Sequence, residues 1–590
     1  MIKIAVVTTD FNNHKDTDEW LRSRSVLETE GLEILWLVVD NGSDTPVSSV
    51  TSKHKNVVWM QTGKNLGFAG GFNRGMKYAK AWGAEYTLII NNDTLFSDKG
   101  LLTKMLEVFK NNPKAGIVSP KIYFAPEFEF YKERYSKKDE GKVIWYAGGS
   151  FDWKNIRSVH RGIDEVDKGQ YDKTEKTGFV SGCCVLISRD VLEKAGFFEE
   201  KLFAYYEDAD WVEKVKRAGF EQWYQGQASI YHKVSRTAGI GSSWSDYLIT
   251  RNRLWFGYKY AKGRTKFALF RQSLKFLFFG RAAQKEGVLD YYKGVWGWKN
   301  AKQPEKIIYP LDLSIAIINY KTKELTLQLL KSIYNEKSGF GDTGKGAEVI
   351  VLDNSPDEPC RREVLKNYPQ VKFISNEVNN GFAAGNNQMI DYSLGKNILL
   401  VNSDIEVKPE AITNLLMAVK KKGDRALYCA KLFFGDGKLQ DSCFALPTPR
   451  GAFEEYFLGK EGKYFMFAPK GNNIIRVEGA VMAVFLIPHK VINEIGVLQE
   501  ESFMYFEDID YCRRAKKKKI PIYYVPNAEF IHYHGQASKK AGPDLSNERL
   551  VKAAKWYHGM LEYSLITAIL WLGQKWGKIT TPVSRWKKEV

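Results

Sequence analysis

The strongest chemical signal in the sequence is a pair of acid clusters 300 residues apart: Glu207, Asp208 and Asp210 in FAYYEDADW, and Glu507, Asp508 and Asp510 in FMYFEDIDY. Aromatic residues precede each cluster, which sets the carboxylates beside an apolar wall that can raise their basicity for proton abstraction. A solvated acidic helix start would look similar over so few residues, but it has no reason to recur inside a duplicated aromatic frame. His232 and His532 each follow the second acid of their cluster by 24 residues, at the ends of the strand-like QASIYH and NAEFIH. An imidazole there can ligate a metal or touch a diphosphate. Asp93 and Asp404 close the blocks TLIINND and ILLVNSD, where a buried strand would deliver one oxygen ligand to a hard divalent cation whose shell is completed by phosphates and water. Asp40 and Asp353 follow LWLVVD and VIVLD; such a carboxylate either accepts a hydrogen bond from a nucleotide base or caps a turn.

These positions belong to two copies of one pattern. GFFEEKLFAYYEDADW, from Gly196, matches GVLQEESFMYFEDIDY, from Gly496, and offsets of 311 to 314 relate VVDNGS to VLDNSP, NLGFAGGFN to NNGFAAGNN, and NNDT to NSDI. One fixed order of blocks means a duplicated domain of about 250 to 300 residues rather than a solenoid. QPEKIIYPLD, Gln303 to Asp312, supplies two prolines before the second copy opens with the strand Leu313 to Ile318. In the first copy, apolar runs at Ile2 to Val7, Leu32 to Val39, Val57 to Met60 and Tyr86 to Ile90 alternate with helical stretches such as Gly71 to Trp82. That is the pattern of βαβ units, with ligands expected at the carboxyl ends of the strands. The glycine blocks that contain Asn65 and Gly67, and Asn379 and Gly381, match neither the Walker nor the dinucleotide fingerprint, which argues against ATPase and dehydrogenase chemistry. Their expected use is close backbone approach to a ligand as a helix starts.

Composition bounds the rest. With 44% hydrophobic and 26% charged residues, 590 residues suit large folded domains rather than disorder or a polytopic membrane protein. Six cysteines without paired spacing argue against a zinc site or a disulfide framework and fit a reducing compartment. Met1 runs straight into an apolar strand, and no export signal is expected. The net charge of +18 suits an anionic bilayer surface or a phosphorylated substrate. With no nucleic-acid motif beside it, a nucleic-acid partner is not expected.

Taken together, the blocks resemble the family 2 glycosyltransferases with the GT-A fold, in particular the bacterial rhamnosyltransferase-like branch that builds surface polysaccharides. The resemblance implies an α/β architecture of two tandem GT-A domains, each a Rossmann-like mixed sheet, with helical C-terminal extensions. The divisions expected are 1–260 and 313–559 for the two catalytic domains, 261–312 for a basic, aromatic extension and linker, and 560–590 for an amphipathic C-terminal segment. It also implies that Asp40 and Asp353 contact the uracil or thymine, with the first-strand ends Thr9 and Ile318 against the base. Asp93 and Asp404 take the metal-binding DXD position, with Asn91 and Asn402 in place of the first acid, and His232 and His532 take the later histidine. Asp208 and Asp508 become the catalytic bases of an inverting transfer. Glu207, Asp210, Glu507, Asp510, Arg251 and Arg549 fall on the acceptor or diphosphate side, with Arg549 in the looser of the two matches. The segments from Thr177 and from Val477 resemble the acceptor-side block.

The resemblance therefore leads to a bifunctional or processive enzyme that uses Mg2+ or Mn2+ and dTDP- or UDP-sugars, with dTDP-L-rhamnose the first donor choice. Its acceptor would be a glycan or a polyprenyl-diphosphate-linked chain. KFALFRQSLKFLFFG, Lys266 to Gly280, and YSLITAILWLGQKW, Tyr563 to Trp576, are too short for confident spans. The first reads equally as a packing helix or as an interfacial one. The second, with Trp571, Lys575, Trp576, Lys578, Arg585 and Trp586, leans toward an anionic membrane surface, and so toward peripheral placement on the cytoplasmic face. Two rival expectations remain: one active domain joined to a degenerate glycan-binding copy, or a non-enzymatic glycan-binding scaffold at the membrane.

Overall fold

The computed structural model describes residues 1–51, 54–234, 242–298, 309–342, 346–533 and 543–580. The chain divides into two compact units, Met1–Ile308 and Tyr309–Val590. Residues 303–308 of the expected linker and residues 581–590, with Arg585 and Trp586, lie outside the described residues.

In the first unit, strand Ile2–Asp10 runs parallel to Leu32–Asp40 and to Tyr86–Ile90, and Val57–Gln61 lies parallel outside Leu32–Asp40. Strand Cys184–Ser188 then enters antiparallel between Tyr86–Ile90 and Ala115–Phe124, and Glu221–His232 returns parallel to Ala115–Phe124. The sheet is therefore mixed, with its parallel half at the amino-terminal end of the unit. The second unit repeats the order with Lys372–Ser375, Ala347–Asp353, Leu311–Asn319, Gly395–Asn402, Val484–Pro488, Leu427–Phe433 and Ile522–His532. Runs such as IAVV and LWLVV are continuous rather than alternating because helices cover both faces of these strands. Trp20, fully buried, meets Trp36 and Phe96 with ring centroids 5.8 Å away, and each such aromatic pair adds about 0.5–1.5 kcal/mol to the burial itself.

Parallel register decides where the chemistry goes. Asp10 stands opposite Asp40, and Asn319 opposite Asp353, so each pair shares one strand-end level. A short strand, Thr94–Phe96, pairs antiparallel with the end of Glu221–His232 and puts Thr94 across from His232; Ile405 stands across from His532 in the same way.

Helices follow each sheet. Ser243–Tyr260, Gly263–Phe279 and Ala282–Lys293 complete the first unit, and Pro543–Thr580, broken at Gly559, completes the second. Among the described residues no helix is long and apolar enough to cross a membrane. All six cysteines are free and buried.

Candidate active site

The register just described brings Asp93 to His232, with Oδ1 3.3 Å from Nε2, and Asp404 to His532 at 3.4 Å. The backbone closes the same joint in both units: Lys233 N–H donates to the Asp93 carbonyl at 2.8 Å, and Tyr533 N–H to the Asp404 carbonyl at 2.9 Å. The two imidazoles differ in what surrounds them. His532 Nδ1 lies 3.1 Å from Gln440 Oε1, whereas His232 meets the edge of Trp145, ring centroids 4.6 Å apart. Burial opposes a charge on His232, but Cys183 and Asp93 reverse that and carry its pKa well above the ordinary imidazole value.

Each acid cluster opens a helix, Glu207–Arg217 or Glu507–Lys517. Two successive non-glycine residues in the left-handed region, Tyr205 and Tyr206 (φ 67° and 69°) or Tyr505 and Phe506 (φ 77° and 68°), swing the chain into the helix. Such geometry costs of order 1–3 kcal/mol per residue and persists only where the surroundings hold it. Its repetition in both units ties the strain to the placement of the acids. Glu207 and Glu507 are buried, and Oε2 of each has no hydrogen-bond partner among the described residues. Burial, then the charge of Asp208, drives Glu207 well above the carboxylic range, and burial also raises Asp208 against the backbone N–H groups of Ala209 and Gly182. In the second unit burial and Asp508 push Glu507 up to about 8, while burial lifts Asp508 to about 6. In the second unit, one carboxyl of the pair therefore stays protonated beside one carboxylate at neutral pH.

In the second unit these groups line one cavity of about 470 Å³. Asp404, Asp441, His532, Glu507, Asp508 and Arg549 are among its charged and titratable lining, and Ile318, Asn379 and Gly381 line it too. The Arg549 guanidinium lies over the Phe503 ring, 4.2 Å from the centroid. In the first unit consecutive residues make the link: the position of a Cβ on Gly182 would be 3.4 Å from Asp208 Cβ, and Cys183 adjoins His232 and Asp93.

The glycine loops dock on the segments that lead into the acids. Gly67 (φ 72°) and Gly381 (φ 85°) leave no room for a side chain, since a Cβ would fall 2.3 Å from the Phe203 carbonyl oxygen or 2.4 Å from that of Phe503. Asn65 and Asn379 accept the glycine N–H groups at 2.9 and 3.0 Å. Asn41 and Asn354 donate to the glycine carbonyls at 2.8 and 3.2 Å.

Several expected site residues have other partners. Asp40 accepts from Ser43 N–H and Val47 N–H, each at 2.8 Å, and Asp353 from Ser355 N–H at 3.0 Å and Cys360 N–H at 2.8 Å. The turn-capping alternative accounts for these bonds, and Asp353 Oδ1 also accepts from the Asn319 side-chain amide at 2.8 Å. Thr9 is half-buried, its methyl 3.1 Å from where a Cβ on Gly71 would lie. Asp210 and Asp510 do not join the acids they follow. Residues two apart on a helix lie about 200° apart around it and do not share a face. Asp210 accepts from Lys259 Nζ and Tyr260 OH, both at 2.7 Å, and Asp510 pairs with Arg513 and Arg514 at 2.8 and 2.7 Å. Arg251 is fully buried and donates to the Leu202 carbonyl at 3.1 Å, to that of Gly297, and to Asn252 Oδ1 at 3.0 Å. Arg549, from the looser match, is the one that reaches a cavity.

Gln440, Tyr320 and Met482 line the cavity without having been singled out from sequence. Asn41 and Asn354 carried a usable signal, since each follows the repeated aspartate in both copies. Gln440 carried none, because the segments before each acceptor-side block differ in length and composition.

As to a cation, Asp404 with His532 offers one carboxylate and one imidazole, and no group of three or more potential ligands occurs among the described residues. That donor set fits Mg2+ or Mn2+ held jointly by protein, phosphate oxygens and water rather than by a protein cage.

A sequence model described as Glycosyl transferase family 2 matches residues 22–196 and 314–463. A low-salt glycan biosynthesis hexosyltransferase, Agl10 of Haloferax volcanii, is 29% identical over 226 residues, covering 38% of this chain and 67% of that protein. An N-acetylglucosaminyl-diphospho-decaprenol L-rhamnosyltransferase of Mycobacterium tuberculosis is 24% identical over 247 residues, 40% of this chain and 78% of that protein. A crystal structure of GalNAc-T7 with UDP, GalNAc and Mn2+ matches with a TM-score of 0.29 and 12% identity, over 38% of this chain and 44% of that one, too slight a likeness to carry an argument.

Proposed function

Since the chain belongs to glycosyl transferase family 2 and is a glycosyltransferase, we propose that each of its two units is an inverting, metal-dependent transfer site, so that the protein is bifunctional. The observation that carries this reading is the shared cavity of the second unit, where the Asp404–His532 pair and the Glu507–Asp508 pair face one space, together with the recurrence of both pairs in the first unit. In the proposed reaction an acceptor hydroxyl attacks C1 of the donor sugar. The new bond forms between that oxygen and C1, the C1–O bond to the diphosphate breaks, and the hydroxyl proton passes to Asp508, or to Asp208 in the first unit. Glu507, kept protonated by burial, leaves Asp508 as the single anion of its pair and has a hydrogen bond to offer the acceptor. Arg549, which lines the same cavity, would meet the diphosphate in this reading. A divalent cation bound at Asp404 and His532, or at Asp93 and His232, would neutralise the departing nucleoside diphosphate.

The donor in this reading is a dTDP- or UDP-sugar, with dTDP-L-rhamnose first, and the acceptor a lipid-linked chain growing toward a surface polysaccharide. The rhamnosyl- and hexosyltransferase relatives support that class of substrate. Residues 1–260 and 313–559 would carry the two reactions. Peripheral association with the inner face of the cell membrane belongs to the same reading. It is supported by exposed apolar residues on the closing helices of both units: Phe267 and Phe278 in one, Leu561, Leu565 and Trp571 in the other. Trp576 and Lys578 add nothing here, because their side chains are not described. The test is nucleoside diphosphate release on defined acceptors by wild type, Asp208→Asn and Asp508→Asn. Each single variant should stop at a different incomplete product, and a variant that still makes the full product would refute two-site action.

A further inference from the structure

Beside helix Gly263–Phe279 of the first unit lies a recess of about 350 Å³ whose wall includes Lys154, Arg253, Arg271 and Lys275, the amides of Asn155 and Gln272, and no carboxylate. Arg253 is fixed by donating Nε to the Asn155 carbonyl at 2.9 Å and Nη1 to Gln272 Oε1 at 2.7 Å, both neutral partners. Asp152, on the adjoining hairpin, pairs with Arg157 at 3.5 Å and also attracts Arg253 at longer range, one carboxylate against the whole set of cations. Four like charges gathered at one recess repel one another unless an anion joins them.

The same helix carries an apolar stripe on its outer side. Phe267, Phe270, Leu274 and Phe278 are 61%, 44%, 40% and 71% exposed, and their spacing of three and four residues puts them on one face. Leu269 and Ser273 hold the opposite face against the unit, and Arg271 and Lys275 fall between the stripe and the recess. The surface is thus amphiphilic in a fixed order: cations in a hollow, then aromatic hydrocarbon beside it. A second copy of the chain fits poorly, because a symmetric contact would bring Arg271 and Lys275 against themselves in a molecule of net charge +18. A polyanion without hydrocarbon would use the hollow and leave the stripe in water. Asn155 lines the recess, and the next residue, Ile156, accepts from the Tyr206 hydroxyl at 2.6 Å, one residue before Glu207.

We propose that this recess binds the anionic phosphate headgroup of a lipid whose hydrocarbon chain lies along the Phe267–Phe278 stripe. The inference rests on the membrane-surface part of the function proposed above and not on sugar transfer itself. Its test needs no nucleotide sugar. The full chain is sedimented with vesicles of phosphatidylcholine alone, with added phosphatidylglycerol, and with a small fraction of a polyprenyl diphosphate; binding of inorganic diphosphate is measured separately by calorimetry. Arg271→Gln with Lys275→Gln, both exposed and in no ion pair among the described residues, should weaken binding to either anionic vesicle by roughly 30-fold and remove the diphosphate binding that persists without divalent cation. Phe267→Ser with Phe278→Ser should weaken vesicle binding and leave diphosphate binding intact. Preference for the polyprenyl diphosphate would mark the acceptor as the lipid, and equal binding would mark bulk anionic lipid; either supports the site. Lys420→Gln with Lys421→Gln removes the same charge from exposed positions of the second unit. An equal loss in that variant, or equal wild-type binding to neutral vesicles, would overturn the proposal. Absence of nucleoside diphosphate release with binding retained would instead count against the proposed transfer.

Discussion

Replacing Gly381 by alanine tests whether the glycine loop is held against the segment that delivers the acids. Gly381 sits at φ 85°, ψ −178°, a region essentially closed to other residues, so alanine there costs about 1–3 kcal/mol by backbone conformation alone. The new Cβ would also lie 2.4 Å from the Phe503 carbonyl oxygen, and backbone on both sides must separate by at least 0.6 Å to reach the 3.0 Å floor of such contacts. That carbonyl accepts the Phe382 N–H at 3.1 Å, a bond whose loss adds about 0.5–1.5 kcal/mol. Gly423 is the matched control in the same unit: its φ of 96° and ψ of 163° are similar, and nothing lies within 4 Å of its Cβ position. Gly423→Ala should therefore show the conformational cost only, and Gly381→Ala that cost plus about 1–2 kcal/mol, or a further 2–8 °C in a unit of this size. Denaturant unfolding followed by hydrogen exchange at the central strand Gly395–Asn402 reads the second unit by itself. Because Phe503 and Tyr505 line the cavity just ahead of Asp508, transfer by the second unit should fall in Gly381→Ala and survive in Gly423→Ala. Equal destabilisation and equal activity in the two variants would refute the docking argument.

Other consequences follow from the same geometry. With the first unit silenced by Asp208→Asn, kcat/KM of the second should rise with pH through about 6, because the base form of Asp508 is the ionised one and burial has lifted its pKa to that value; a flat profile from pH 5 to 8 would remove Asp508 from the role. The sign for stability is opposite. A carboxyl with a folded pKa above its unfolded one stabilises below the unfolded pKa and loses that contribution as pH rises through the folded one, so Asp508→Asn should melt higher than wild type at pH 8 and no higher at pH 4. Gln440→Leu, by freeing the His532 ring, should raise the Mn2+ concentration for half-maximal activity of the second unit by about 10–100-fold and leave the first unit unchanged. Arg251→Ala should destabilise the first unit by about 3 kcal/mol or more, since it opens a buried site and strands carbonyls that the guanidinium satisfies, whereas Arg549→Ala should raise the donor KM with stability within about 0.5 kcal/mol.

Sequence alone determined the duplication, the strands that open the βαβ pattern and the identity of the repeated acids and histidines. Repeats and strand periodicity are local properties, and the pairing of Thr94 with His232 or Ile405 with His532 only carries residues already visible to one place. What sequence could not decide was which polar side chains face the ligand space and which fasten the fold. Asp208 and Asp210 belong to one short motif, yet rotation about the helix sends the first toward the wall shared with Gly182 and the second to Lys259 and Tyr260. Arg251 stood in the tighter match and is buried against backbone carbonyls, while Arg549 stood in the looser one and lines a cavity. Asp40 and Asp353 look poised for a base and are bonded to their own turns. Gln440 and the cations around Arg253 lie in segments without a counterpart in the other copy. They meet their neighbours only through long-range packing, which leaves no period in the chain to read.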